Sequence, residues 1–281
     1  MLHSLYMIFI LLLILFVALY IFTYHKKILV IIYETDLNNK RLNKYIKTLK
    51  RFGYDYKIIG DYEWKGFGKK IKTLHTFLNT LPPNKIVVIS DGRDVFVGKN
   101  QSELIHTYTK LALNKILVST EWACCEETRK MYAPNNIRYV NGSHKYLMNN
   151  SQKNVHHWIQ QFKTLAFTKT GRKDLKWVNP NAGLYMGQVK DILKMYSLMN
   201  IYKDDEDDQS VLSEIILQNQ NMFELDYFAS IFSNSHMWGS ECHYKNTNNE
   251  VINTTFNSKP FFFHFPAKHF DCYDKTYAYI T

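Results

Sequence analysis

Residues 85–97, KIVVISDGRDVFV, carry the reading that decides the fold. Lys85–Ser90 is an apolar, β-branched run of strand length without polar alternation, the pattern of a strand buried on both faces. It runs out into Asp91-Gly92-Arg93-Asp94, two carboxylates three positions apart on a turn that Gly92 eases. Working upstream, 27–34 (KILVIIYE) is a second buried run. The segment 38–52 then spaces Leu42, Tyr45, Ile46, Leu49 and Phe52 as one face of a helix, Tyr56–Ile59 is a short strand, and Lys69–Leu81 is a helix stopped by Pro82-Pro83. Downstream, Ser102–Leu113 reads as a helix and Lys115–Thr120 as a strand. Unalternating strands interleaved with helices predict an α/β fold with a mainly parallel sheet covered on both faces. The second half is less regular: helices at 155–167, 189–199 and 207–218, then a late strand PFFFHF at 260–265. No repeat or low-complexity linker interrupts it, so residues 26–281 read as one domain.

A chain of 281 residues, 46% apolar and 21% charged, excludes a disulfide miniprotein, a coiled coil and a disordered tail. The net charge of +10 comes from lysines scattered through a Lys-, Asn-, Ile- and Tyr-rich chain, which builds no patch and points to no nucleic-acid partner. Cys124, Cys125, Cys242 and Cys272 have no zinc spacing and leave the redox compartment open. Leu5–Tyr24 is twenty residues without a formal charge, about 30 Å as a helix, enough to cross a bilayer. Without a small-x-small cleavage site it reads as an uncleaved single-pass anchor, residues 1–25. Lys26 and Lys27 after the span favour a cytoplasmic domain, while sequons at Asn100, Asn141, Asn149 and Asn253 would suit a lumen, so the side stays open.

Open sheets of this kind bind ligands beyond the carboxyl ends of their strands, where Asp91 and Asp94 fall. Such a pair suits a hard divalent cation bridging phosphates, and equally a capping Asp at a turn. His264, ending the late strand, would complete a shell of two carboxylates and one imidazole that favours Mn²⁺ over Mg²⁺, or is simply structural. Trp64, in a loop with Gly60, Gly66 and Gly68, can stack on a nucleobase or sugar with Lys69 and Lys70 near phosphate, or pack in a core. The run Asp204-Asp205-Glu206-Asp207-Asp208 opens a helix, either as a solvated start or as a catalytic group.

Taken in order, these elements resemble the glycosyltransferase domain of the procollagen lysyl hydroxylases. The resemblance runs from about Lys27 to Phe270 through Glu63-Trp64 with Gly66 and the basic helix, Asp91-x-x-Asp94-Val95, Ser119-Thr120-Glu121 with Cys124, Asn181-x-Gly183 with Gly187, Tyr202–Gln209, Leu225-Asp226 with Ile231-Phe232, and His264. It implies a GT-A type fold, a UDP-sugar donor, and Mn²⁺ held by Asp91, Asp94 and His264. Thr35 and Trp64 would contact uridine. Arg93, Asn181 and Gly183 would line the donor, Lys69, Lys70 or Lys268 would face the diphosphate, and Asp207 and Asp208 would lie where sugar meets acceptor. Three positions depart from the pattern: Arg93 replaces an aromatic, Leu184 a glycine, and Phe265–Lys268 a glycine-rich stretch, changes that touch the uridine and diphosphate walls. The reading is a membrane-anchored, Mn²⁺-dependent hexosyltransferase moving glucose or galactose to a hydroxyl acceptor, such as glycosylated hydroxylysine of a collagen-like protein. Its rivals are a metal-dependent phosphoester hydrolase and a non-catalytic basic protein of the membrane surface.

Overall fold

A computed structural model describes residues 28–60, 62–122, 152–201, 203–235, 242–248, 250–266 and 269–280, with Tyr6 and Ile10. Six strands form the central sheet: β1 (Leu29–Tyr33), β2 (Asp55–Ile59), β3 (Ile86–Asp91), β5 (Ile116–Glu121), β6 (Asn179–Gln188) and β7 (Phe223–Asp226), in the order β2-β1-β3-β6-β5-β7. Every neighbouring pair is parallel except the two made by β6, which runs against β3 and β5. The sheet is therefore mainly parallel, with one reversed strand at its centre.

Each strand distributes its apolar residues between two cores. Val30, Ile32, Val88, Leu117 and Leu184 face one, and Ile31, Tyr33, Val87, Ile89, Ile116, Val118 and Tyr185 face the other. On the first face lie α1 (Lys40–Arg51), α3 (Leu104–Ala112), α7 (Phe270–Tyr277) and a small sheet of β4 (Val95–Val97), β11 (Phe262–His264) and β8 (Phe232–Asn234). The second face is covered by α2 (Phe67–Leu78), α4 (Gln152–Thr170), α5 (Val189–Met199) and α6 (Asp208–Gln218). A hairpin of β9 (Tyr244–Thr247) and β10 (Glu250–Asn253) completes the described strands.

The run 179–188, NPNAGLYMGQ, has no strand signal: a proline and two glycines mark it as a breaker segment. It is nonetheless a ten-residue buried strand. Gly187 admits Ile116 and Ile192, whose Cγ1 atoms would lie 3.3 and 3.4 Å from an added Cβ, at or inside ordinary contact, and a register shift in β5 between Val118 and Thr120 accommodates the pairing with Pro180. A disulfide joins Cys242 to Cys272 and so ties α7 to the residues leading into β9. Cys124 and Cys125 lie outside the described residues, as does the anchor expected at Leu5–Tyr24 apart from Tyr6 and Ile10. Among the described residues no helix is long and apolar enough to cross a membrane.

Candidate metal centre and donor cleft

The small sheet brings the centre together. Val95, the first residue of β4, pairs with His264 on β11, which pairs on its other side with Asn234 on β8. Asp94 immediately precedes β4, and its carbonyl accepts from the N–H of Phe265 at 2.8 Å. Asp91 ends β3 in the large sheet. The junction of the two sheets places His264 Nε2 3.5 Å from Asp94 Oδ2 and 4.0 Å from Asp91 Oδ2. One ligand atom from each of the three residues falls within 4.8 Å of the others.

Three observations fit this group to a cation. First, Asn234 Nδ2 donates to Thr120 O at 2.8 Å, which fixes its amide so that Oδ1 accepts from His264 Nδ1 at 2.7 Å. In its neutral form the imidazole then turns a lone pair on Nε2 toward the carboxylates, as a metal-binding histidine requires. Second, Asp94 Oδ1 is buried without a hydrogen-bond partner among the described residues. Third, a Cβ on Gly183 would stand 2.5 Å from His264 Cε1 and 2.7 Å from Asp91 Oδ2, so only glycine leaves this space open. Burial alone would lower the His264 pKa, but Asp94, Asp91 and Glu121 outweigh it and raise it. The same negative field favours a cation.

Lys70 is the residue whose position the sequence misassigns. With Lys69 it sits at the basic helix start and is expected to face phosphate, yet it is 2% exposed. Its Nζ lies 2.8 Å from Asp91 Oδ1, 3.1 Å from Asp208 Oδ2 and 3.3 Å from the Ala182 carbonyl. Burial would lower its pKa; Asp208 and Asp91 more than offset that and hold the ammonium charged. One ammonium cannot neutralise two carboxylates in a dry site, and burial pushes Asp208 up to about 6. The glycines of the loop explain the docking. A Cβ on Gly66, where φ is +114°, would lie 2.2 Å from Asp204 O, and one on Gly68 1.9 Å from Lys203 O. Backbone thus packs on backbone, sealed by Lys69 N–H to Asp204 O at 3.1 Å.

The acidic run separates accordingly. Asp204 is exposed and paired with Lys72, and Asp205 is exposed. Asp207 is the N-cap of α6, its carboxylate accepting from Ser210 N–H at 2.8 Å. Asp208 faces Lys70 and feels the charge of Asp91. Gln209 Nε2 donates to Glu121 Oε1 at 2.6 Å, and Asn181 Nδ2 donates to Glu121 Oε2 at 2.9 Å while its Oδ1 accepts from Gly183 N–H at 2.8 Å.

Glu121, which ends β5, was not read from sequence as a site residue. Burial pushes its carboxyl up to about 7, with the Asn181 and Gln209 amides pulling the other way. The sign follows from linkage. Between the unfolded value near 4.5 and about 7 the folded chain holds a proton that the unfolded chain has lost. That stability is fully present below the lower value and declines as pH rises through the upper one, on the order of 3 kcal/mol in all. Urea denaturation at pH 4.5 and pH 8 should show this loss in the wild type and a smaller one in Glu121→Gln; equal slopes would remove Glu121 as the cause.

The expected donor contacts lie along the ends of β1 and β3. Thr35 follows Glu34, a buried carboxylate that accepts from the N–H groups of Thr35 and Asp36 at 2.8 and 2.9 Å. Glu34 also binds the half-exposed Arg93 guanidinium through Nε at 3.1 Å and through NH2. Trp64 is 50% exposed and meets Tyr33 and Phe67 edge-on, with ring centroids 6.2 and 5.0 Å apart. Leu184 does not touch the cleft, contrary to its expected place in the donor wall: strand alternation turns Gly183 to the site and Leu184 into the core on the opposite face. Lys268 lies outside the described residues.

Residues 24–162 match the family described as the PLOD GT domain. Among solved structures, the chain is similar to a glycosyltransferase involved in the glycosylation of the major capsid of PBCV-1, with 8% identity, coverage of 89% of this chain and 98% of that one, and a TM-score of 0.49. Mouse xyloside xylosyltransferase 1, apo form, shows 9% identity over 74% of this chain and 87% of that one, with a TM-score of 0.38. Comparison with curated proteins gives no match.

Proposed function

From the match of residues 24–162 to the PLOD GT domain, we propose that the chain is a glycosyltransferase of that family, a GT-A type, metal-dependent hexosyltransferase. It takes glucose or galactose from a UDP-sugar to a hydroxyl acceptor, with glycosylated hydroxylysine of a collagen-like protein the first acceptor to test. The observation that carries this is the Asp91/Asp94/His264 group, pre-oriented by Asn234 and given its space by Gly183. These three side chains would hold Mn²⁺, and that ion supplies charge neutralisation for a departing diphosphate. The chain's own residues do the rest. Lys70 holds Asp91 by one carboxylate oxygen and leaves the other toward His264. Arg93, braced by Glu34, and Lys69 border the donor, and Asn181 fixes the backbone at Gly183. Asp208 presents a buried carboxylate beside Asp91, where it can orient an acceptor hydroxyl or stabilise a positively charged sugar. Residues 5–24 would anchor the enzyme to a membrane.

The deciding experiment is a screen of UDP-sugars with Mn²⁺ for UDP release by the chain from His25 onward, with and without acceptor. No release from any UDP-hexose would overturn the proposal, and release indifferent to acceptor would favour hydrolysis over transfer. Trp64 gives a separate test. If its half-exposed ring stacks on uracil, Trp64→Ala should weaken UDP binding by roughly 1–3 kcal/mol and leave the melting temperature nearly unchanged. Normal UDP affinity with early melting would assign the ring to packing against Tyr33 and Phe67.

A further inference from the structure

Resting on the anchor proposed for residues 5–24, we propose that the folded domain lies on the oxidising, non-cytosolic side of the membrane and carries an N-linked glycan on Asn100. Two observations unconnected with the cleft support this. The first is the disulfide between Cys242 and Cys272, which bridges 30 positions and ends in α7, where Cys272 is buried against the aromatic core. Thiols so placed stay reduced in a cytosol and join in a secretory or extracellular setting. There they lose two protons and two electrons to a disulfide-exchanging oxidant. A disulfide records the compartment in which the chain folded. The opposing feature, Lys26 and Lys27 just after the span, is only two charges and the weaker observation.

The second observation is the contrast between two sequons. Asn100-Gln101-Ser102 follows β4 on the surface: Asn100 and Ser102 are exposed, and the Asn100 side chain makes no capping bond to the short turn it opens. Its amide is presented to solvent. Asn253-Thr254-Thr255 is the reverse. Asn253 is 2% exposed, its Nδ2 donates to Ser233 Oγ at 2.9 Å, and its Oδ1 accepts from the N–H groups of Thr255 and Phe256 at 2.9 and 3.2 Å. A glycan there would replace a buried hydrogen bond. At Asn100 the amide nitrogen takes C1 of an oligosaccharide from a polyisoprenyl diphosphate. The N–C1 bond forms, the C1–O bond breaks, the lipid diphosphate leaves with the electron pair, and the nitrogen gives up one proton.

The test expresses the full chain in a eukaryotic cell and maps the membrane fraction by mass spectrometry. Peptide N-glycosidase in heavy water should convert Asn100 to labelled Asp. Ser102→Ala should remove one glycan, and Thr255→Ala, which disables the second sequon without touching the bonds of Asn253, should remove none. A non-reducing digest should contain the Cys242–Cys272 linked peptide. An unmodified Asn100 in membrane-inserted protein would overturn the modification site, and both cysteines recovered as alkylated free thiols would overturn the orientation. Neither readout depends on transferase activity.

Discussion

Asp94→Ala is expected to reduce Mn²⁺-dependent UDP release by about 10²-fold or more, with little change in thermal stability. The backbone around Asp94 is fixed independently of its side chain, by the Phe265 N–H on its carbonyl and by the pairing of Val95 with His264. Removing the carboxylate therefore takes away a ligand without dismantling the junction of the two sheets. Asp91→Ala should be as damaging to activity but less clean. Asp91 also supports Lys70, and taking one carboxylate from a buried ammonium costs stability on the scale of a few kcal/mol. Asp91→Asn keeps an oxygen for Lys70 and should restore most of the stability but not the metal affinity. Steady-state UDP release, Mn²⁺ calorimetry and melting temperature, measured together on all three variants, check this. Undiminished turnover in Asp94→Ala would end the metal assignment.

The sequence reveals this site where a residue's chemistry shows in its spacing, and hides it where tertiary contacts decide. β1, β3 and β5 follow from unbroken β-branched runs, and Val189–Met199 forms a helix over the same residues that periodicity marks. The reversed strand β6 follows from nothing local. Its proline and glycines argue against a strand, and their value lies in what approaches them from elsewhere, His264 and Asp91 at Gly183 above all. Lys70 had a signal that a count of basic residues passes over: it lies four and eight positions before Leu74 and Leu78, on the buried stripe of α2. A lysine on an apolar stripe calls for a buried counter-charge, and the counter-charges are Asp91 and Asp208. Glu34 and Asn234 carried no comparable mark. Each acts by orienting another residue, Arg93 or His264, across 59 and 30 positions of chain.

Asp208→Asn should lower transfer by about 10²-fold or more while sparing UDP and Mn²⁺ binding, and Asp207→Asn should do little. The two neighbours differ in what their carboxylates already do. Asp207 spends an oxygen on Ser210 N–H as the cap of α6, and asparagine caps a helix about as well as aspartate. Asp207→Ala, in contrast, should cost about 1 kcal/mol of stability. Asp208 caps nothing. Its carboxylate is buried beside Lys70, and burial has pushed it up to about 6 against that cation. Asparagine there keeps an oxygen for Lys70 and removes only the charge, so the fold should survive and the loss should fall on kcat. A group that acts through its charge should also leave a trace in the pH profile: wild-type kcat should decline as pH falls through about 6, and Asp208→Asn should lose that limb. Measured kcat for the two Asn variants, read beside donor affinity, decides between them. Equal, small effects at both positions would make the run nothing more than the charged start of α6.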